Sequence, residues 1–377
     1  MKRDEIVRYL KNRILSEEIA PGSFLPLRSD LIRECEASNV TVQNAINRLA
    51  AEGFLRSCGS KGVMVSVYPP HKYRVGVLLP ASGWPEKNFD TKWFAVEQAL
   101  DMVEKDGSHI SFERYRVSKE MSMHDDELKK LSNALNESLL AGVIVPFSLP
   151  DGLLMPLNGY PVVQHEPRNA KVIRAVSFNH NYIAMAEMAV KKLLECGATK
   201  IAVIMGSEMP AFFIREIEKV LFNCKEVCTK KEWIQSLSNT SRGIVWAENL
   251  LRLMFAPELR ERPDGLVVLN ENLLNPVTES LHELDMIIGK DIHVCSHSNI
   301  PTLTPVSDKI HFLAFDWCEI FRKSIWCINR FHKLDESYFG REFLLPPKIL
   351  DQFAPQPFSD NVNLNIQPYQ EVQNEQQ

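Results

Sequence analysis

A run of amides and hydroxyls along one predicted helix carries the clearest chemical signal in the chain. Thr41, Gln43, Asn44, Asn47 and Arg48 follow Ser38 and interleave with Val42, Ala45, Ile46 and Leu49. The four apolar residues stand at i, i+3, i+4 and i+7, so they form a buried stripe and leave the polar set on the opposite face. An Asn or Gln amide donates to and accepts from an adenine edge at once, and a polar helix of this size suits a major groove. A solvated surface helix has the same kind of face, so the pattern alone leaves both readings open. His293, Cys295 and His297 alternate along a predicted strand and share a face, which is metal-ligand chemistry. Ile292 and Val294 interleave with them as inner-strand residues and no fourth ligand is near, which favours a buried strand without a metal. Cys224 and Cys228, at i and i+4, could share one helix face, but no His stands at finger spacing. Asp125, Asp126 and Glu127 read as the acidic first turn of a helix. The chain has no GxSxG elbow, no Walker A loop, no GxGxxG after a first strand and no HExxH helix. An enzyme is therefore not expected, and neither is a cofactor or a metal.

The elements that must position the polar helix come next. Residues 4–16 place Ile6, Leu10 and Ile14 at helical spacing, and Pro21-Gly22 ends that helix. Pro26 to Glu36 predicts a short second helix with Leu31 and Ile32 inward. Ser38 is the expected N-cap of the third helix, and Gly53 its stop. Phe54-Leu55-Arg56, a Gly-rich turn and Val63-Met64-Val65 predict a β-hairpin. Three short helices and a hairpin make a winged helix-turn-helix, whose third helix enters the major groove. Ser66 to Tyr73 reads as a linker that Pro69-Pro70 keeps extended.

From Arg74 the rhythm changes. Val75 to Leu79 is a continuous apolar run, as expected of a buried parallel strand. A helix over about 90–105 follows, with Phe94, Ala95, Ala99 and Met102 inward. Strands are expected at Ile110–Arg116, Gly142–Val145, Pro161–Val163, Lys200–Met205, Leu266–Leu269 and Ile292–Cys295. Helices are expected around Leu128–Leu135, at Tyr182–Cys196 and at Pro276–Leu284. This alternation predicts doubly wound parallel sheets, and its length predicts two stacked α/β subdomains. Ligands of such sheets bind outside the carboxyl ends of the strands. Residues 354–377 hold ten Gln or Asn and little apolar periodicity, which predicts a disordered tail.

Composition sets bounds on this reading. The chain has 377 residues, 45% hydrophobic and 24% charged, ordinary values for a soluble globular protein of two or three domains. No apolar run approaches the roughly 18–20 residues of a membrane span. The charged start predicts no secretory signal. The eight scattered cysteines, none in a CxxC pair, predict reduced thiols and a cytoplasmic protein. Residues 1–72 carry 11 Lys/Arg and 8 Asp/Glu against a whole-chain net charge of -5. A mildly basic head on an acidic body suits a nucleic-acid-binding module joined to something else.

Ile14 to Val65 resembles the DNA-binding domain of the GntR family of bacterial transcription factors. The stretches that carry the likeness are "ILSEEIAPGSFLPLRSDL", "SNVTVQNAINRLAAEGFL" and "GSKGVMV". The sequence departs from the family where Asn39, Gln43 and Ser29 stand at positions usually held by Arg, with Arg28 beside the last. Fewer cations mean a smaller counterion-release contribution to DNA affinity. The resemblance implies that Arg28, Ser38, Asn39, Thr41, Gln43, Asn44, Arg48 and Lys61 contact operator DNA.

The body is similar to the LacI-type sensor domain, which shares its fold with periplasmic sugar-binding proteins. "YRVGVLLP", "YPVVQHEP", "AVSFNHNYIAMAEMAVKKLLECGATKIAVIMG", "RPDGLVVLNEN", "GKDIHVCSHSN", "TLTPVSD" and "FLLPPKIL" carry the likeness in order. The last of these is expected to be the final strand. The resemblance implies an effector, a sugar in class, held between the two subdomains. Its contacts would come from Trp84, Trp93, Phe147, Ser148, His165 and Glu166 on one side. Asn179, Arg215, Glu271, Asn272, His297 and Ser298 would come from the other, with Asp316 completing the set. Asn179, Glu271 and Ser298 stand where the family has Asp, and the loss of the acid at Asn179 and Ser298 implies an altered ligand or a degenerate pocket. The expected architecture is thus α/β: an N-terminal winged helix-turn-helix (1–66), a linker (67–73), a two-subdomain periplasmic-binding-protein-like sensor (74–353) with crossovers near 177, 298 and 305, and the tail (354–377). The expected function is an effector-controlled transcriptional repressor, acting on operator DNA as a homodimer. The alternative is a solute-binding or scaffold module with a degenerate DNA-binding head.

Overall fold

The structure is a computed structural model describing residues 1–81, 91–118, 125–167, 169–207, 209–238, 241–256, 258–301 and 309–350, of which 241–244 are described in backbone only. Trp84, the crossover expected near 305 and the tail at 354–377 lie outside the described residues. The described chain falls into two compact units. One holds residues up to 81, 104–177 and 324–340, and the other holds 91–103, 178–323 and 341–350.

The first unit begins with three helices, α1 (Arg3–Leu15), α2 (Arg28–Glu34) and α3 (Asn39–Glu52), followed by the antiparallel hairpin β1 (Leu55–Ser57) and β2 (Val63–Val65). Their apolar stripes meet in one core built on Ile6, Leu10, Ile14, Leu31, Val42, Leu49, Phe54 and Val65. The Ser38 hydroxyl accepts from the Thr41 amide at 3.2 Å and caps α3. Gly53, at φ +94°, ends it, and the Phe54 amide returns to the Leu49 carbonyl. The amides of Leu25 and Val65 bond the Val63 and Ser23 carbonyls, which extends the hairpin by the segment ahead of α2. The linker is not extended throughout. Pro69 precedes a turn of helix, α4 (Pro70–Tyr73), with Pro70 at its first position. There the missing amide of proline costs nothing and its fixed φ favours the helix.

Two six-stranded sheets form the body. In chain order the elements are β3 (Arg74–Pro80), α5 (Thr91–Glu104), β4 (Ser111–Val117), α6 (Asp126–Asn136), β5 (Gly142–Val145), α7 (Asp151–Leu154), β6 (Val162–His165), β7 (Val176–His180), α8 (Tyr182–Glu195), β8 (Ile201–Gly206), α9 (Ala211–Asn223), β9 (Ile234–Leu237), α10 (Ser241–Phe255), β10 (Gly265–Val268), α11 (Leu274–Glu283), β11 (His293–Ile300), β12 (Ile310–Asp316), α12 (Trp317–Arg330), β13 (Glu342–Leu345) and β14 (Lys348–Ile349). One sheet has the order β13-β7-β6-β5-β3-β4 and the other β14-β12-β11-β10-β8-β9. The pairings of β3 with β4 and β5, β5 with β6, β8 with β9 and β10, and β11 with β10 and β12 are parallel. β12 and β14 pair antiparallel. The core of the second unit gathers Trp233, Leu251, Phe255, Leu266, Val277, Ile292, Val294 and Phe312.

Four expectations are corrected. Met102 is exposed, because α5 buries Ala95, Val96, Ala99, Leu100 and Val103, a stripe one residue out of phase with the expected one. "FLLPPKIL" is two strands in different sheets, because Pro346 and Pro347 supply no ladder amides where the chain turns. No change of sheet occurs near 298, since β11 runs on to Ile300 and pairs with β12 throughout. The first passage between sheets follows β7, and the later ones flank β13. Cys224 and Cys228 do not share a helix, since α9 stops at Asn223. No disulfide joins any of the eight cysteines, all of which are among the described residues. Asp125 caps α6, accepting from the Glu127 and Ser118 amides at 2.9 Å each. Burial opposes ionisation of this carboxyl, but the backbone donors outweigh it and hold it below the usual carboxylate range.

Candidate nucleic-acid interface and effector groups

The exposed face of α3 is built by its buried one. Because Val42, Ala45, Ile46 and Leu49 point into the core, Ser38, Asn39, Asn44 and Asn47 are exposed, with Thr41 and Gln43 half-exposed at the flank. The Gln43 amide donates to the Asn47 carbonyl oxygen at 2.7 Å, which pre-orients both amides. Arg28 is exposed at the start of α2, and Lys61 is exposed in the turn between β1 and β2. Each of these groups is therefore open to solvent.

Arg48 behaves differently. Its Nε bonds Glu52 at 2.8 Å, and its two terminal nitrogens reach Asp4 at 3.1 Å and Glu137 at 3.3 Å. Lys11 donates to the Glu137 carbonyl oxygen at 3.0 Å and pairs with Glu52 at 2.7 Å. Leu139 packs against the head's core. In this unit, then, Arg48 anchors the head to the turn after α6 and is not turned to the open face. Sequence reasoning also passed over Val40. It is 68% exposed between Asn39 and Thr41, where an apolar group meets a thymine methyl in a major groove. An apolar residue lying off the Val42–Leu49 stripe, between Asn39 and Thr41, was the available signal.

The expected effector groups fall on both units. In the first, Phe147 and His165 are buried, while Ser148 and Glu166 are half-buried beyond the ends of β5 and β6. His165 Nε2 lies 3.1 Å from the Ser324 hydroxyl. Glu166 sits in the left-handed region at φ +51°. Among the described residues, the buried Gln164 amide nitrogen and the buried hydroxyls of Ser148 and Ser177 have no hydrogen-bond partner. An orphaned buried polar atom costs roughly 1–3 kcal/mol until it finds a partner. Gln164 and Ser177 were not in the expected set, although Gln164 interrupts an apolar strand.

In the second unit most of the expected groups are already engaged. The Asn179 amide donates to Glu342 at 2.8 Å. Glu271, buried, accepts from both the backbone and the side-chain amide of Asn299, and the Trp317 indole donates to that side chain's oxygen at 2.9 Å. Asn272 faces Thr91. Asp316 caps α12 through the Glu319 amide and pairs with Lys348 at 3.1 Å, a structural role. His297 lies among the rings of Tyr182 and Phe315, and Ser298 is fully buried. His180 stacks on Phe315 with 4.0 Å between centroids. Trp93 is half-buried on α5, with the Lys92 ammonium 5.5 Å from its ring, and Arg215 is exposed on α9. The Cys295 thiol donates to the Ala189 carbonyl, and no group of three potential metal ligands gathers among the described residues.

The profile of the bacterial regulatory proteins of the gntR family matches residues 2–65. Solved structures resemble the body at low identity. A regulatory protein of the LacI family from Chloroflexus aggregans is 13% identical at a TM-score of 0.56, with 74% of this chain and 96% of its own covered. A protein from a Staphylococcus, named for a maltose operon transcriptional repressor, gives 13%, 0.54, 74% and 96%. The transcription regulator CcpA of Lactococcus lactis gives 16%, 0.52, 76% and 100%. No curated protein sequence matches the chain at a significant level. No helix among the described residues is long and apolar enough to cross a membrane.

Proposed function

Residues 2–65 are a gntR-family DNA-binding domain joined to a body with the LacI-type fold, and from that premise we propose that the protein is an effector-controlled repressor. The single observation that carries the proposal is the exposed amide and hydroxyl face of α3, held outward by a satisfied N-cap and a buried apolar stripe. Asn39, Thr41, Gln43 and Asn44 read base edges, and Val40 meets a thymine methyl. Arg28 and Lys61 hold phosphates, and Ser38 serves as the cap. Arg48 contacts DNA only if it leaves Glu137.

The effector belongs to the sugar class. Ser148, Gln164 and Ser177, whose buried polar atoms have no partner among the described residues, supply hydroxyl-seeking groups on the first unit, with His165 and Glu166 at the end of β6. The name of the maltose operon repressor among the structural neighbours supports that class. Phe147 and Trp93 offer apolar ring faces. His297, Ser298, Glu271, Asn272, Asn179 and Arg215 belong to the second unit's share, where most groups must break an internal bond to take part.

The active form is a homodimer in the cytoplasm. Val245, Trp246 and Leu253 on α10 are 54%, 66% and 73% exposed, a run of apolar surface that a second copy would cover. Selection of duplexes from fragmented genomic DNA, followed by gel shifts, tests the reading. Gln43→Ala with Asn44→Ala should abolish preference for the selected site and leave the circular dichroism spectrum unchanged. An unaltered preference would refute the assignment.

A second reading has one observation behind it. With Asn39 and Gln43 in place of cations and Arg48 engaged internally, the DNA face is thinly charged. The protein would then be a binding or scaffold module whose head no longer reads DNA. A site-specific binder loses affinity steeply between low and physiological salt; a degenerate head has no such slope.

A further inference from the structure

One cavity is lined by none of these groups. At the C-terminal end of α12, within the first unit, a cavity of about 540 Å3 is lined by Trp326, Asn329, Arg330, Lys333, Asp335 and Tyr338. Its volume is that of a small-molecule site. The Arg330 guanidinium lies 4.6 Å from the centre of the Trp326 ring, and Trp326 and Tyr338 are half-buried walls. Asp335 spends one carboxylate oxygen on the Ser337 amide at 2.8 Å. Among the described residues, neither Arg330 nor Lys333 has a carboxylate within ion-pair distance, whereas nearby Arg174 pairs with Glu336 at 2.9 Å. The helix dipole accounts for cations at a helix C-terminus, but not for a walled cavity between them. Two exposed cations, one amide and two aromatic walls complement an anion carried on a ring-shaped body.

We propose that this cavity binds a phosphorylated small molecule, its phosphate taken by Arg330 and Lys333 and its sugar or base ring laid against Trp326 and Tyr338.

Calorimetric titration of the full chain with glucose 6-phosphate, AMP, glucose, adenosine and inorganic phosphate tests the site. At least one ester should bind about tenfold more tightly than both its unphosphorylated parent and inorganic phosphate. Arg330→Gln with Lys333→Gln should weaken that ester at least about tenfold, with circular dichroism unchanged, because both side chains are exposed. Trp326→Leu should weaken the ester while leaving inorganic phosphate unaffected. Esters that bind no better than parent and phosphate, or that bind the double variant as they bind the wild type, would overturn the proposal. None of these readouts depends on operator binding or on the sugar effector, so failure here leaves the repressor reading standing.

Discussion

Lys11 and Glu52 form an ion pair whose side chains are only 11% and 12% exposed, and Arg48 shares the same carboxylate. Glu52→Ala leaves two cations facing each other in a poorly hydrated site. It should cost about 3 kcal/mol in urea unfolding, whereas Lys11→Met with Glu52→Leu should be much milder. His71 makes the second residue-scale prediction. Its ring stacks near Phe54 with 5.7 Å between centroids, and neither ring nitrogen has a hydrogen-bond partner among the described residues. Burial, aided by the adjacent Lys72 ammonium, pushes its pKa down to about 4 from 6.5. The unfolded chain therefore binds the proton more tightly. This contribution to stability is complete above about pH 6.5 and is lost as pH falls toward 4, by up to about 2 kcal/mol after allowing for partial exposure. His71→Phe should flatten that acid limb in thermal unfolding measured between pH 4 and 7. Neither group was legible in the sequence. A Lys on a polar helix and a His in a proline-rich linker both read as solvated until the head is seen against the turn that carries Glu137.

Gly142 opens β5 where a side chain has no room. A Cβ there would lie 2.5 Å from the Pro161 carbonyl oxygen and 2.8 Å from Ile328 of α12. The oxygen belongs to backbone, so it cannot give way cheaply. Gly142→Ala should cost about 2–3 kcal/mol, read as a lowered denaturation midpoint at unchanged slope. Element by element, the head was plain in the sequence because punctuation and periodicity agreed: Pro21-Gly22, Ser38, Gly53 and the wing glycines sit where the chain turns. β3, β5, β8 and β10 were plain because each is a short apolar run buried on both faces. α12 was not. It carries Trp317, Phe321, Ile325 and Trp326, residues of modest helix propensity, and its burial in packing overrides local preference. The candidate site divides the same way. Exposed Asn39, Gln43 and Asn44 were readable from the stripe beneath them, while the capture of Asp316 by Lys348, of Glu271 by Asn299 and of Arg48 by Glu137 depends on residues distant in the chain.

For the whole molecule, repression requires two heads held in fixed spacing and a body that responds to a ligand. The apolar run on α10 supplies a testable route to the first. Trp246→Lys with Leu253→Lys should convert a dimer to a monomer in analytical ultracentrifugation and weaken operator binding at least about tenfold through loss of bivalency. A variant that stays dimeric would place the interface elsewhere. Ligand control belongs to the same scale: a sugar that binds one arrangement of the body better than another shifts DNA affinity by that difference and no more. The most direct measurement is fluorescence anisotropy of the full chain against its selected duplex and a scrambled duplex of equal length, at several salt concentrations. An operator-reading head should prefer the selected duplex about a thousandfold or more and lose affinity steeply as salt rises. Equal affinity for both duplexes at every salt concentration would contradict it.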